Sequence, residues 1–234
     1  MSKRSATSEP LPEGAAKVKA VDDMFDAIAP KYDLLNRLLT FGMDIGWRRK
    51  TVRSLKLPPG SVVLDLACGT GDLCRGLTKA GYRAVGVDRS AGMLAAHRTT
   101  SPLLRGDALR LPFPDHSVDG IVCGFALRNF ASLKPFLAEC GRVLRPGGAV
   151  ALLEVAIPEN VVLRWGHGLY FGKVVPLVGG LLSNRDAYRY LPRSVAYLPP
   201  PSRMVAMMSE AGFGGAARRP LSTGIAQLLT GRRR

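Results

Sequence analysis

The sequence predicts a doubly wound α/β domain, a largely parallel sheet with helices on both faces, and three observations carry that expectation. Short continuous apolar runs alternate with amphipathic helical stretches through the middle of the chain. One run, Val62 to Leu66, leads into a turn where Gly69 and Gly71 let the backbone approach a ligand. A second run, Ala84 to Val87, ends on a carboxylate, Asp88. With 234 residues, 47% of them hydrophobic, the chain needs no metal or disulfide staple, and a domain of this size buries about 70 percent of its unfolded surface.

The elements follow in order. Residues 1–20 are rich in Ser, Pro, Glu, Ala and Lys without an apolar core, which reads as a disordered leader and not a secretory signal; Glu9 and Glu13 argue against a mitochondrial presequence. After the first strand, Asp72 to Ala80 reads as a helix closed by Gly81. Ser90 is placed to cap a helix over Met93 to His97, and Leu103 to Ala108 suggests a third strand end. Val118 to Phe125 reads as a fourth strand, Leu133 to Leu144 as a helix, Arg145 to Gly148 as a turn, and Ala149 to Val155 as a fifth strand.

The glycine turn carries the chemistry. A dinucleotide fingerprint wants a third small residue three positions after Gly71, and Cys74 stands there. What the chain has instead is Asp65 at the strand end, ahead of Gly69-Thr70-Gly71, and this resembles the first motif of the class I S-adenosylmethionine-dependent methyltransferases. A cofactor with an ammonium and a sulfonium suits that acid. Asp88, about 20 residues beyond the turn, is placed to accept hydrogen bonds from two ribose hydroxyls, and Asp107 to reach an adenine amino group.

Five further stretches extend the resemblance: MFDAIAPKYDLLNRLLTFGMDIGWRR (Met24 to Arg49), GFALRNF (Gly124 to Phe130), RVLRPGG (Arg142 to Gly148), YRYLPRS (Tyr188 to Ser194), and AGF with LSTGIAQLLTG near the end. Together they are similar to the quinone-biosynthesis C-methyltransferases of the UbiE/COQ5 type from Val21 to Gly231. That resemblance implies a Rossmann-like class I methyltransferase sheet over 61–157, an N-terminal helical lid over 21–58, a helical cap insertion over 158–200 and a C-terminal part of the core over 201–234. It implies C-methylation of a prenylated quinol by S-adenosyl-L-methionine, with demethylmenaquinol ahead of a polyprenyl benzoquinol, and a methyltransferase acting on another small molecule or RNA as the alternative.

Carried over position by position, the family's cofactor contacts fall on Thr70, Asp88, Asp107 and Ala108. The chain departs from the pattern at Gly124, where a serine is usual; its backbone remains available to the cofactor while the hydroxyl is lost. Arg128 and Asn129 are expected over the substrate, the guanidinium holding a developing oxyanion and the amide orienting a hydroxyl, with Tyr32 reaching in from the lid.

Other chemistries find little support. Cys68, Cys74, Cys123 and Cys140 form no Cys-x-x-Cys pair and read as reduced packing residues of a cytoplasmic protein. His97, His116 and His167 are unpaired, so no metal site is expected. The net charge of +15 raises nucleic acid as a partner, but no aromatic and basic RNA-binding module accompanies it. From Val161 onward eleven basic residues face two acidic ones, beside the apolar run Val161 to Leu182, which is broken by Arg164, Lys173, Pro176 and glycines. That combination suits either contact with an anionic membrane surface at the inner face of the cell membrane, Arg185, Arg189 and Arg193 included, without a spanning helix, or a solvated basic face above a core-packed insertion.

Overall fold

The computed structural model describes residues 14–170 and 193–234, apart from the side chains of Ala15 and His167. Most of the proposed leader and the centre of the cap, with Lys173, Arg185 and Arg189, lie outside the described residues. Three helices come first: α1 (Gly14–Ile28), α2 (Tyr32–Leu39) and α3 (Met43–Ser54). There follow β1 (Val62–Leu66), α4 (Asp72–Lys79), β2 (Arg83–Asp88), α5 (Ala91–Ala95), β3 (Leu103–Arg105), β4 (Val118–Gly124), α6 (Leu133–Val143) and β5 (Leu144–Val155). The described chain ends with α7 (Val161–Leu169), α8 (Pro201–Glu210), β6 (Phe213–Leu221) and β7 (Ala226–Arg233).

The strands form one sheet in the order β3-β2-β1-β4-β5-β7-β6. β1 pairs in parallel with β2 and β4, and β5 with β4, whereas β7 runs antiparallel to both β5 and β6. This is the doubly wound sheet expected, closed at one edge by an antiparallel hairpin. Because β1 is covered on both faces, its residues other than Asp65 are apolar without alternation, yet they still divide by side. Val63, Val122 and Leu153 pack on one face with Leu55 and Leu77. Leu64, Ile121 and Leu152 pack on the other with Phe136 and Phe213. All four cysteines are buried.

Two local expectations change. The first helix begins at Gly14, seven residues inside the leader expected to be disordered. The cause is long-range: the buried Lys17 ammonium donates to the carbonyl of Phe130 at 2.8 Å and lies 3.6 Å from the ring centroid of Tyr197. The second change is that Arg145 to Gly148 does not separate helix from strand as a turn. It lies inside β5, where the register against β4 shifts between Val118 and Gly120. A Cβ on Gly148 would come within 2.8 Å of the Arg145 carbonyl, so the excursion folds only around glycine.

Candidate active site

Strand order reverses between β1 and β4, and in an open α/β sheet that switch point leaves a crevice beyond the carboxyl ends of the strands. A cavity of about 100 Å³ occupies it, lined by Gly69, Asp88, Asp107, Ala108, Gly124 and Asn129, among others. Ala67, on the same wall, has a φ of 53°, and Phe125 a φ of 62°, conformations that a side chain disfavours and that the surrounding contacts must hold.

The Asp88 carboxylate ties the crevice together. Gly69 N donates to its Oδ2 at 2.7 Å and Ser90 N to its Oδ1 at 2.9 Å. Burial pushes its carboxyl above the usual range, opposed by these N–H donors. Asp107 accepts from Leu109 N and from Arg89 Nη1, each at 2.9 Å.

Three expected cofactor residues stand off the cavity wall. Thr70 is buried, and its Oγ1 donates to Asp33 Oδ1 of α2 at 2.6 Å, so it fastens the lid to the glycine turn. Gly71, at φ 87°, is required by packing, since a Cβ there would meet Thr99 Cγ2 at 2.5 Å. Asp65 lies beneath the turn. Its Oδ2 accepts from Cys74 N at 3.0 Å, its Oδ1 is buried without a partner, and burial raises its pKa to about 7. A buried carboxylate oxygen in want of a donor, below a turn whose strand-tip neighbours are Asp88 and Asp107, fits a cofactor bearing an ammonium and ribose hydroxyls.

Beside the first cavity lies a second of about 380 Å³, enclosed by α2, α3, α7 and the β4–α6 connection. Tyr32 and Phe125 line both. The rest of its wall is mostly apolar, with Leu39, Trp47, Val162 and Ile225, and it carries two guanidinium groups, Arg48 and Arg128. Burial pushes the Tyr32 phenol up, while Arg48, a hydrogen bond with Asn36 and Arg128 oppose that rise.

The two arginines differ in how they are held. Arg128 is buried and its Nη1 is ion-paired with the fully buried Glu154. Nη1 also donates to the Phe125 carbonyl at 2.8 Å and Nε to Ser194 Oγ at 3.1 Å. Arg128 thus fixes the Phe125 turn while it also faces the cavity. Arg48 donates to Asp44, lies 3.6 Å from Asp72 and sits 5.2 Å from the Phe125 ring centroid. Its carboxylates are shared, because Arg37 also donates to Asp44 and reaches Asp72 at 2.7 Å.

Of the residues expected over the substrate, Tyr32 lines both cavities, Asn129 lines the first and Arg128 the second; the sequence reading did not single out Asp44, Arg48 and Phe125 as site residues. Their signal was present in the quoted segments Met24 to Arg49 and Gly124 to Phe130, but nothing in local spacing singles them out. His97 and His116 each place Nδ1 3.0 Å from a backbone carbonyl, and neither lines these cavities.

Known proteins resemble this arrangement. The profile of the ubiE/COQ5 methyltransferase family matches residues 13–233. A demethylmenaquinone methyltransferase of Thermus thermophilus is 43% identical over 221 residues, covering 90% of this chain and 100% of that protein. The ubiquinone/menaquinone biosynthesis C-methyltransferase UbiE of Geobacter sulfurreducens is 39% identical, covering 92% of this chain and 89% of its own length. Among solved structures, a methyltransferase complexed with the Trm112 activator of Haloferax volcanii aligns with a TM-score of 0.65 at 20% identity, over 89% of this chain and 96% of that one. The [4+2]-cyclase SpnF aligns at 0.68 and 16% identity, over 96% and 98%. At such identities the likeness shows the fold alone.

Proposed function

Because the chain belongs to the ubiE/COQ5 methyltransferase family, we propose that it transfers the methyl group of S-adenosylmethionine to a ring carbon of a prenylated quinol, demethylmenaquinol in the first place. The carrying observation is the pair of adjoining cavities that share Tyr32 and Phe125, one edged by strand-tip carboxylates and the other apolar with two guanidinium groups. The bound cofactor supplies an electrophilic methyl group on a sulfonium.

The chain's own residues do the rest. Asp88 accepts from the ribose hydroxyls, Asp107 and Ala108 meet the adenine, Gly69 and Gly124 give backbone access, and Asp65 offers its unpartnered oxygen to the ammonium from below. Thr70 and Gly71 shape the turn. Tyr32 and Phe125 set the line along which a ring carbon approaches the methyl group, and such alignment supplies much of the rate. A quinol hydroxyl gives up its proton to solvent, and the ring carbon would take the methyl group as the carbon–sulfur bond breaks and the neutral thioether leaves, then lose its own proton to solvent; charge thus develops on oxygen in a cavity with mostly apolar walls. Arg48 and Arg128 stabilise that charge and Asn36 orients the hydroxyl, while Asn129 stands on the wall of the first cavity. Apolar walls suit a ring with an isoprenoid tail and disfavour a polar substrate or RNA.

A substrate of this kind partitions into lipid, and attachment to an anionic membrane surface belongs to the same reading. Among the described residues no helix is long and apolar enough to cross a membrane.

The test offers purified enzyme and cofactor labelled at the methyl group three substrates in parallel: short-tailed demethylmenaquinol, a demethylated benzoquinol and RNA. Label on the naphthoquinol ring supports the proposal. Label on the benzoquinol alone moves the pathway, and label on RNA alone or on none of the three ends it.

A further inference from the structure

Among the described residues the exposed large apolar side chains are concentrated in two segments, 34–45 and 157–169, with Leu104 the exception. On α2, α3 and the turn between them they are Leu34, Leu38, Phe41 and Ile45, of which Leu34 is 66% and Phe41 76% exposed. On α7 they include Val161, Trp165 and Leu169, spaced one helical turn apart on one face, with Trp165 73% exposed. The two segments meet: the rings of Phe41 and Tyr170 lie 5.8 Å apart, and Tyr170 Oη donates to the Leu39 carbonyl at 2.9 Å. Both flank the second cavity.

Next to this apolar face runs a groove of about 450 Å³ between α3 and α4. Ile45 lines it, so the groove is continuous with the apolar face. Its other walls carry Arg37, Arg48, Arg49, Arg53, Arg75 and Lys79 against a single carboxylate, Asp72. Arg37, Arg48 and Arg75 pair with Asp72, whereas Arg49, Arg53 and Lys79 have no carboxylate partner among the described residues. The C-terminal arginines are differently placed: Arg218 pairs with Glu159, Arg203 with Glu210, and Arg232 donates to the carbonyls of Leu55 and Gly147.

We propose that the α2–α3 and α7 faces, with the basic α3–α4 groove beside them, form the surface on which this protein docks to an anionic phospholipid bilayer. The apolar side chains enter the interfacial layer and the groove takes headgroup phosphates. Continuity of an apolar face with a cation-rich groove is the chemistry of that interface; RNA would match the groove but not the exposed valine, leucine and tryptophan beside it. The docked face turns the second cavity toward the lipid, which gives a tailed substrate a dry path in. That last step rests on the quinol reading, whereas the docking itself does not.

Sedimentation with vesicles of phosphatidylcholine, alone or mixed with phosphatidylglycerol, tests it on the full chain. The wild type should bind mixed vesicles at least about tenfold better than neutral ones, with binding that falls as salt rises to a residual level. Arg49→Gln, Arg53→Gln and Lys79→Gln together should abolish the preference for anionic vesicles. Leu34→Ser with Trp165→Ser should remove the salt-resistant residue of binding. Arg218→Gln with Arg219→Gln should change neither. All these positions but the partly buried Arg218 are exposed, and a thermal melt confirms that each variant is folded. The proposal is overturned if the wild type binds neither vesicle, if the groove or apolar variants bind like wild type, or if Arg218 and Arg219 prove decisive. A single-stranded RNA that outcompetes vesicles for the groove, or a wild-type dimer that Leu34→Ser with Trp165→Ser dissolves, overturns it as well. Methylation of a tail-less quinol in vesicle-free solution separates the two readings. Failure there with intact vesicle binding removes the substrate assignment and leaves the docking face.

Discussion

The cavities proposed for cofactor and for substrate share a wall at Tyr32 and Phe125 but are built by different parts of the chain. The first is assembled at strand tips, where a glycine turn and the carboxylates of Asp88 and Asp107 are set by hydrogen bonds to backbone N–H groups within about one βαβ unit. The second is assembled from the lid helices, α7 and the β4–α6 connection, and is held by ion pairs between residues distant in sequence, Arg48 with Asp72 and Arg128 with Glu154. A sheet edge presents polar groups in a fixed frame, so small changes there alter binding. A wall of side chains on separate helices stands only while its charges are matched, so changes there threaten the wall itself.

The sharpest contrast lies within the second cavity, between its two arginines. Arg128→Ala leaves Glu154, which is 0% exposed, without its arginine. Loss of one partner of a buried pair costs about 3–5 kcal/mol, so denaturant titration should show that drop and turnover should fall with it. Equal stability would make Arg128 a free cavity cation after all.

Asp65 gives the next largest effect and belongs to the floor of the cofactor cavity. Its pKa is raised from 3.8 to about 7 by burial. Between those values the folded state holds a proton that the unfolded chain has released, so stability falls as pH rises, at about 1.4 kcal/mol per pH unit at most. It levels above pH 7, near the folded pKa. Asp65→Asn should lack that component in the cofactor-free protein. Parallel stability curves for wild type and variant would show that Asp65 titrates normally.

Arg48→Met should spare the fold, because Arg37 stays on Asp44 and on Asp72. Turnover should fall about a hundredfold with cofactor affinity unchanged, the typical loss for one charge-stabilising donor. A stability loss as large as that of Arg128→Ala would erase the distinction between the two arginines. The smallest effect is expected from Asp88→Asn, in which one acceptor survives and the charge is lost. Calorimetry should show cofactor affinity weaker by about tenfold, within the range for a hydrogen bond to a charged group.

What was legible in the sequence follows the same division. A strand, a glycine turn, a helix and a second strand ending on Asp88 are consecutive, so their periodicity and spacing placed the sheet and the cofactor wall. The pairing of Arg128 with Glu154 and of Thr70 with Asp33 joins residues 26 and 37 positions apart, and no local pattern encodes it. The start of α1 at Gly14 depends on Lys17 reaching Phe130, 113 residues away. Asp65 and Gly71 were read as cofactor residues because the motif contains them, and neither the burial of Asp65 nor the contact of Gly71 with Thr99 can be read from that motif. The resemblance to a family drew attention to Tyr32, but only the fold shows that Arg48 shares its cavity.

The central claim is that two distinct, adjoining cavities serve cofactor and quinol. It is tested most directly by titrating a short-tailed demethylmenaquinol into enzyme already saturated with S-adenosylhomocysteine, followed by calorimetry. The two ligands should bind together, the quinol with an affinity within about threefold of that for free enzyme, since a shift of this size is below the usual range of coupling between sites. Arg48→Met should weaken only the quinol. Mutual exclusion of the two ligands, or quinol binding that ignores Arg48 and instead fails in Asp88→Asn, would contradict the two-cavity account.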